Sequence, residues 1–134
     1  MTTKELLQYR SMCKELTEKS IEAKHRTLSG AVKGSDSEFP YTQHAMAISG
    51  MEENEQNRIL LQRINKLSMK IKEIELFVGC IDDSLVQRIF EFRYIKGSSK
   101  PSWQRVAALV GGENTADGVR MMHIRYLEKQ KGKD

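Results

Sequence analysis

Leu60, Ile64, Leu67, Ile71, Ile74, Val78 and Ile81 succeed one another at alternating spacings of four and three. Apolar residues repeated in that way over three heptads line one side of a helix and form a coiled-coil seam. Arg58, Arg63, Lys66, Lys70, Lys72, Glu73 and Glu75 fall largely outside the seam. Its partner is an earlier helix of the same chain, folded back, or the same helix in a second protomer; the blander reading is one face of a helical bundle. The earlier helix is predicted from Thr3 to about Thr27, a stretch with no Gly or Pro. Leu6, Tyr9, Cys13 and Leu16 make its apolar stripe, which fades into Ser20 and Ala23. A stripe that weak covers less than the seam offers, which favours a hairpin that also forms a homodimer through helix 58–81. Between the two helices, Gly30, Gly34, Pro40 and Gly50 interrupt the pattern. Phe39-Pro40-Tyr41 and Ala45-Met46-Ala47-Ile48 are too apolar for a plain linker, so residues 29–50 are expected to be a packed loop with room for a short strand.

After Ile81 the pattern changes. Asp82-Asp83-Ser84 starts a helix, carboxylates being favourable at the positive end of the helix dipole. Leu85, Ile89, Phe92 and Ile95 give it an apolar face, with Phe90 and Tyr94 beside that face, and Gly97-Ser98-Ser99-Lys100-Pro101 stops it. Ser102 is placed to cap the next helix, which points Val106, Leu109 and Val110 inward. Gly111-Gly112-Glu113-Asn114 forms a turn, and Asn114 or Thr115 caps a last helix, 115–127, that buries Val119, Met122 and Leu127 with Tyr126 alongside. The fold class read from these patterns is all-α. A helical hairpin or coiled-coil arm over 1–81 precedes a helix-turn-helix over 82–134.

Composition narrows the setting. Across 134 residues, 39% are hydrophobic and 30% charged, which suits a folded helical chain rather than a disordered one. No apolar run approaches the roughly 20 residues of a membrane helix, and Met1-Thr2-Thr3-Lys4-Glu5 is not a signal peptide. Cys13 and Cys80 lie far apart in helical patterns and read as reduced thiols, so the expected location is cytoplasmic. The net charge of +4 is unevenly spread. From Val86 onward ten bases face five acids, a balance of +5, and the first 85 residues carry twelve bases and thirteen acids, a balance of −1. A basic excess confined to one end is what a phosphate-contacting surface requires.

That end also has the small residues a helix-turn-helix needs. Ala107 and Ala108 allow two helices to cross closely, and Gly111 and Gly112 allow positive φ in the turn. With Val119, Met122 and Leu127 inward, Ala116, Asp117, Arg120 and Met121 face out, with Arg125 one turn later. Arg120 suits a bidentate contact to guanine; Asp117 either accepts from cytosine or serves only the helix dipole. The Thr115 hydroxyl, the free amides near it and those near Ser102 suit phosphates. Lys100, Arg105, Lys129 and Lys131 add sequence-independent attraction, and Gln104 and Asn114 complete the candidate set at the two helix starts. Trp103 is expected to anchor its helix in the core, and His123 to be a half-buried or surface residue.

Ser102-Trp103-Gln104-Arg105-Val106-Ala107, with Asn114-Thr115, Val119-Arg120 and Tyr126-Leu127, resembles region four of bacterial sigma factors. The likeness is closer to the small phage late-gene activators of the ArpU/RinA type, and Phe39-Pro40-Tyr41-Thr42-Gln43-His44 resembles a stretch common in such phage proteins. The specific part spans about Asp82–Lys129. The resemblance implies binding to double-stranded DNA near promoters and allows contact with RNA polymerase. It places Thr115, Asp117, Arg120 and Met121 at the DNA-facing positions of the second helix. Gly118 departs from the family pattern, which has a basic residue there, and Gly111-Gly112-Glu113 lengthens the turn. Nothing resembles the part of a sigma factor that grips the minus-ten element, so the expectation is a regulator rather than a complete sigma factor.

Catalysis has no motif here. His25, His44 and His123 lack metal-ligand or HExxH spacing, and no glycine-rich phosphate loop is present. No enzyme activity, cofactor or metal is expected. Two competing readings remain: a protein-interaction module whose basic end is incidental, and a small terminase-like DNA-packaging subunit.

Overall fold

The computed structural model describes residues 1–30 and 52–133. The loop expected at 29–50 lies outside them, except that residues 29 and 30 continue the preceding helix. Every regular element among the described residues is helical, as the all-α reading requires. In order these are α1 (Thr3–Leu7), α2 (Tyr9–Gly30), α3 (Glu55–Gly79), α4 (Ser84–Phe90), a π-helical turn (Glu91–Ile95), α5 (Trp103–Val110) and α6 (Ala116–Lys133).

The chain divides into two compact units, one of Ser11–Lys70 and one that joins Met1–Arg10 to everything from Ile71 onward. This differs from a division after residue 81, and the reason is the chemistry of the first ten residues. Thr2 caps α1 reciprocally with Glu5, each side chain accepting from the other's amide at 3.2 Å. The first helix is not continuous: a turn at Gln8 separates α1 from α2. Leu6 and Tyr9 are buried, and the Tyr9 hydroxyl donates to Glu75 Oε2 at 2.6 Å. These residues therefore belong with the carboxy-terminal end of α3.

Within Ser11–Lys70, α2 and α3 run antiparallel. Ala23, Leu60 and Ile64 form a buried cluster with Leu16 and Leu61 packed against it. Arg63 holds Glu15 through two hydrogen bonds of 2.6 and 2.7 Å, and Arg26 donates to Asn57 Oδ1 at 2.7 Å. Asn57 is buried, and its side-chain amide donates to the Glu52 carbonyl at 2.7 Å, so this polar group is satisfied where it is desolvated. Met12, outside the expected stripe, is buried, whereas Cys13 within it is half-buried.

All seven seam positions, Leu60 to Ile81, are only 2–6% exposed. The heptad reading located this face correctly. Its apolar side is nevertheless filled from within the chain, so the uncovered surplus that argued for a homodimer through helix 58–81 does not exist.

In the other unit, Ile89, Val106, Ala107, Val110 and Val119 form the core, with Leu85, Phe92, Trp103 and Met122 against it. Asp83 caps α4 by accepting from the Leu85 and Val86 amides at 2.9 and 3.2 Å. The Lys96 amide then reaches back five residues to the Glu91 carbonyl at 2.8 Å, which makes the π-helical turn. An extra residue in that turn shifts the phase of the helix. Phe90 and Tyr94, expected beside the apolar face, are 0 and 1% exposed, while Phe92 and Ile95 are half-buried. No described helix is long and apolar enough to cross a membrane.

Candidate nucleic-acid interface

Ser102 and Thr115 start the two helices that carry most of the candidate contacts. Ser102 Oγ accepts from the Arg105 amide at 3.2 Å, and Thr115 Oγ1 accepts from the Gly118 amide at 3.0 Å. The hydroxyl proton of each stays available. Both helices also leave first-turn amides without an intrahelical acceptor, as the geometry of any helix start requires. Between them the chain turns through Gly111 (φ 80°) and Gly112 (φ 69°), a left-handed conformation that only glycine adopts without strain. Asn114 closes the turn by donating its side-chain amide to the Gly111 carbonyl at 2.8 Å. Gly118 sits under the cap: a Cβ there would lie 3.1 Å from Thr115 Oγ1, so the position that departs from the sigma pattern is tight against the capping hydroxyl.

Lys100, Ser102, Gln104, Arg105, Thr115, Asp117, Arg120, Met121, Arg125 and Lys129 are all exposed. Asn114 is half-buried and its amide is committed to the turn, so it shapes the interface rather than supplying a free donor. Around α6, at roughly 100° per residue, Asp117, Arg120 and Met121 share the side opposite the buried flank formed by Val119, His123 and Tyr126. Arg125 lies about 40° around the axis beyond Met121, and Lys129 about 80° beyond it. Both line a groove on the other flank of the helix with Asp82 and Asp83, and Arg125 lies roughly 140° around the axis from Arg120. Each helix start thus keeps its own exposed candidate contacts, and Arg125 and Lys129 line the groove further along α6.

On α5, Val106, Ala107 and Val110 face the core, while Leu109, expected inward, is 40% exposed. It falls a quarter-turn or so from Val110, and the small Ala107 takes the inward place where α5 meets α6. Trp103 is half-buried and packs against the core, its ring centroid 4.9 Å from that of His123.

Two arginines that sequence patterns did not single out position this surface. The Arg93 guanidinium lies 4.0 Å over the Trp103 ring and donates to the Pro101 carbonyl, which fixes the segment carrying Lys100 and Ser102 at the start of α5. Arg10 donates to the carbonyls of Arg93 (3.0 Å), Lys96 (2.7 Å), Gly97 (3.3 Å) and Phe92 (3.4 Å). Its charge meets the negative end of the helix that precedes the same segment. Neither role has a sequence signature, because both depend on a partner distant in the chain or on a local turn that no spacing announces.

Behind α6 lies an aromatic core. Phe90 meets Phe77, Tyr94, His123 and Tyr126 at centroid distances of 6.1, 5.9, 4.9 and 5.4 Å. His123 is 3% exposed, more buried than its sequence context suggested. Its Nε2 shares a 2.5 Å hydrogen bond with the Tyr94 hydroxyl, and its Nδ1 has no partner among the described residues. Burial, with a smaller contribution from the Arg93 charge, pushes its pKa down to about 4. At neutral pH it is an uncharged core residue that anchors α6 against Phe90, Tyr94 and Trp103.

The chain matches no protein-family model, and comparison with curated proteins and with solved structures also gave no match.

Proposed function

We propose that this chain is a cytoplasmic regulator of transcription that binds double-stranded DNA sequence-specifically through the starts of α5 and α6. The observation that carries the reading is the outward face shared by Asp117, Arg120 and Met121 immediately after the capped start of α6. Arg120 makes no ion pair among the described residues, so its planar guanidinium is free for the paired acceptors on guanine. Asp117, also without an ion pair among them, accepts from a neighbouring cytosine or tunes the helix start. Thr115 and the amides beside it take one phosphate, and Ser102 with the start of α5 takes another. Lys100 and Arg105 add attraction that is independent of sequence, and Gln104 is exposed beside them.

Aiming the first turns of α6 into a major groove is the arrangement of a helix-turn-helix reader. The resemblance to sigma region four and to phage late-gene activators gives that reader its setting, a promoter, with RNA polymerase as the neighbouring partner. Selection of bound sequences from a random duplex pool tests the proposal. A defined motif should emerge, and Arg120→Ala should weaken binding to it by about 1–3 kcal/mol and relax one base position. A pool that shows no enrichment would sink the reading and leave the chain as a protein-interaction module.

A further inference from the structure

We infer that the groove between the last turns of α3 and the helix α6 is the contact surface for a second copy of this chain, paired about a two-fold axis. The groove encloses about 810 Å³. Phe77, Val86, Met122 and Tyr126 line it with apolar surface, and Leu76, also lining it, is 67% exposed at its edge. A large apolar side chain held that far into solvent beside a recess lined half by apolar surface is a projection and a socket side by side.

The charges choose the occupant. The wall formed by α3 and the residues after it carries Glu73, Asp82 and Asp83, and the wall formed by α6 carries Arg125 and Lys129. None of Glu73, Asp82, Arg125 and Lys129 has an ion-pair partner within the chain among the described residues. A two-fold rotation lays the acidic wall of one copy on the basic wall of the other, twice over, and brings Leu76 of each copy to the recess of its partner. That double match is what an isologous interface demands. A uniformly acidic or basic partner would meet repulsion at one wall.

This surface replaces the heptad seam, which is closed inside the chain, and it uses none of Lys100, Arg105, Thr115, Asp117 or Arg120. It therefore does not rest on the DNA reading. It also gives Arg125 and Lys129 a role where the geometry leaves them away from Arg120.

Sedimentation velocity of the full chain, over about a hundredfold range of concentration at low salt, should show a monomer–dimer equilibrium. Arg125→Glu with Lys129→Glu makes both walls acidic; Glu73→Lys with Asp82→Lys makes both walls basic. Each double variant alone should dimerise at least about tenfold more weakly, and an equimolar mixture should recover the mass of two chains, because every wall then meets its opposite. Recovery on mixing also shows that both variants are folded. Arg120→Ala should leave the dimer unchanged, so failure of this proposal is distinguishable from failure of the DNA reading. A wild-type chain that stays monomeric throughout overturns the inference and leaves the groove to a heterologous helix. A dimer indifferent to both double variants overturns it as well.

Discussion

His123 shows how much a single residue of the candidate reader is decided by its neighbours. Phe90, Tyr94 and Trp103 surround its ring, and its pKa falls from 6.5 to about 4. Between those two values the unfolded chain binds a proton that the folded chain refuses. Stability contributed by this neutral histidine is therefore complete above about 6.5 and is lost as the pH falls toward 4. The loss should reach on the order of 2–3 kcal/mol. Urea unfolding at pH 7, 5.5 and 4.5 would measure it, and His123→Phe should remove this part of the slope even if it lowers stability at pH 7. An unchanged slope in that variant would mean the histidine is not the group responsible. A reader of the sequence sees a histidine between Met122 and Ile124 and has no means of finding this environment, which is assembled from α4, the π-helical turn and α5.

At the scale of elements, spacing and local chemistry were informative wherever the cause of the structure is local. Isoleucines and leucines at intervals of three and four defined the buried side of α3 from Leu60 to Val78. Ser102 and the Gly111-Gly112 pair marked a helix start and a turn, each by its own backbone requirement, and of Asn114 and Thr115 it is Thr115 whose hydroxyl caps the last helix. The π-helical turn at Glu91–Ile95 escaped because Leu85, Ile89, Phe92 and Ile95 fit an ordinary helix equally well; only the hydrogen bond from the Lys96 amide to the Glu91 carbonyl reveals it. Leu109 escaped for a related reason, since a leucine on a short helix reads as core until Ala107 is seen to occupy the crossing. Arg10 is the furthest from any pattern, as it stabilises a helix end more than eighty residues away. A charge-assisted hydrogen bond to an otherwise unsatisfied carbonyl contributes about 1.5–3 kcal/mol when well made. Arg10→Ala should accordingly lower the unfolding free energy by about 1–3 kcal/mol, and Arg10→Lys should recover only part, having no planar fork to span several carbonyls. Denaturant titration of the three proteins would decide it; equal stability of all three would show that the clamp adds nothing.

For the molecule as a whole, the separation of its basic residues into two faces has a measurable signature. Counterion release makes DNA affinity fall with salt in proportion to the phosphates neutralised, by roughly 0.9 in the logarithmic slope for each. Replacing Lys100 and Arg105 with alanine should flatten the slope by roughly two. The same change at Arg125 and Lys129, which line the groove, should alter it by less than about one. Equal effects from the two pairs would place both on the DNA and contradict the assignment of faces.

The unit that carries α5 and α6 is discontinuous in sequence, being completed by Met1–Arg10 across the excursion of Ser11–Lys70. Order of synthesis and order of folding are therefore opposed. Residues 1–10 leave the ribosome before the rest of this unit, and Arg10 has no carbonyls to hold until Phe92–Gly97 has emerged. At roughly 5–20 residues per second that wait lasts on the order of several seconds. During it the α2–α3 pair can fold on local contacts such as Glu15–Arg63. The unit that carries α5 and α6 closes last, on residues 1–10 made well before it.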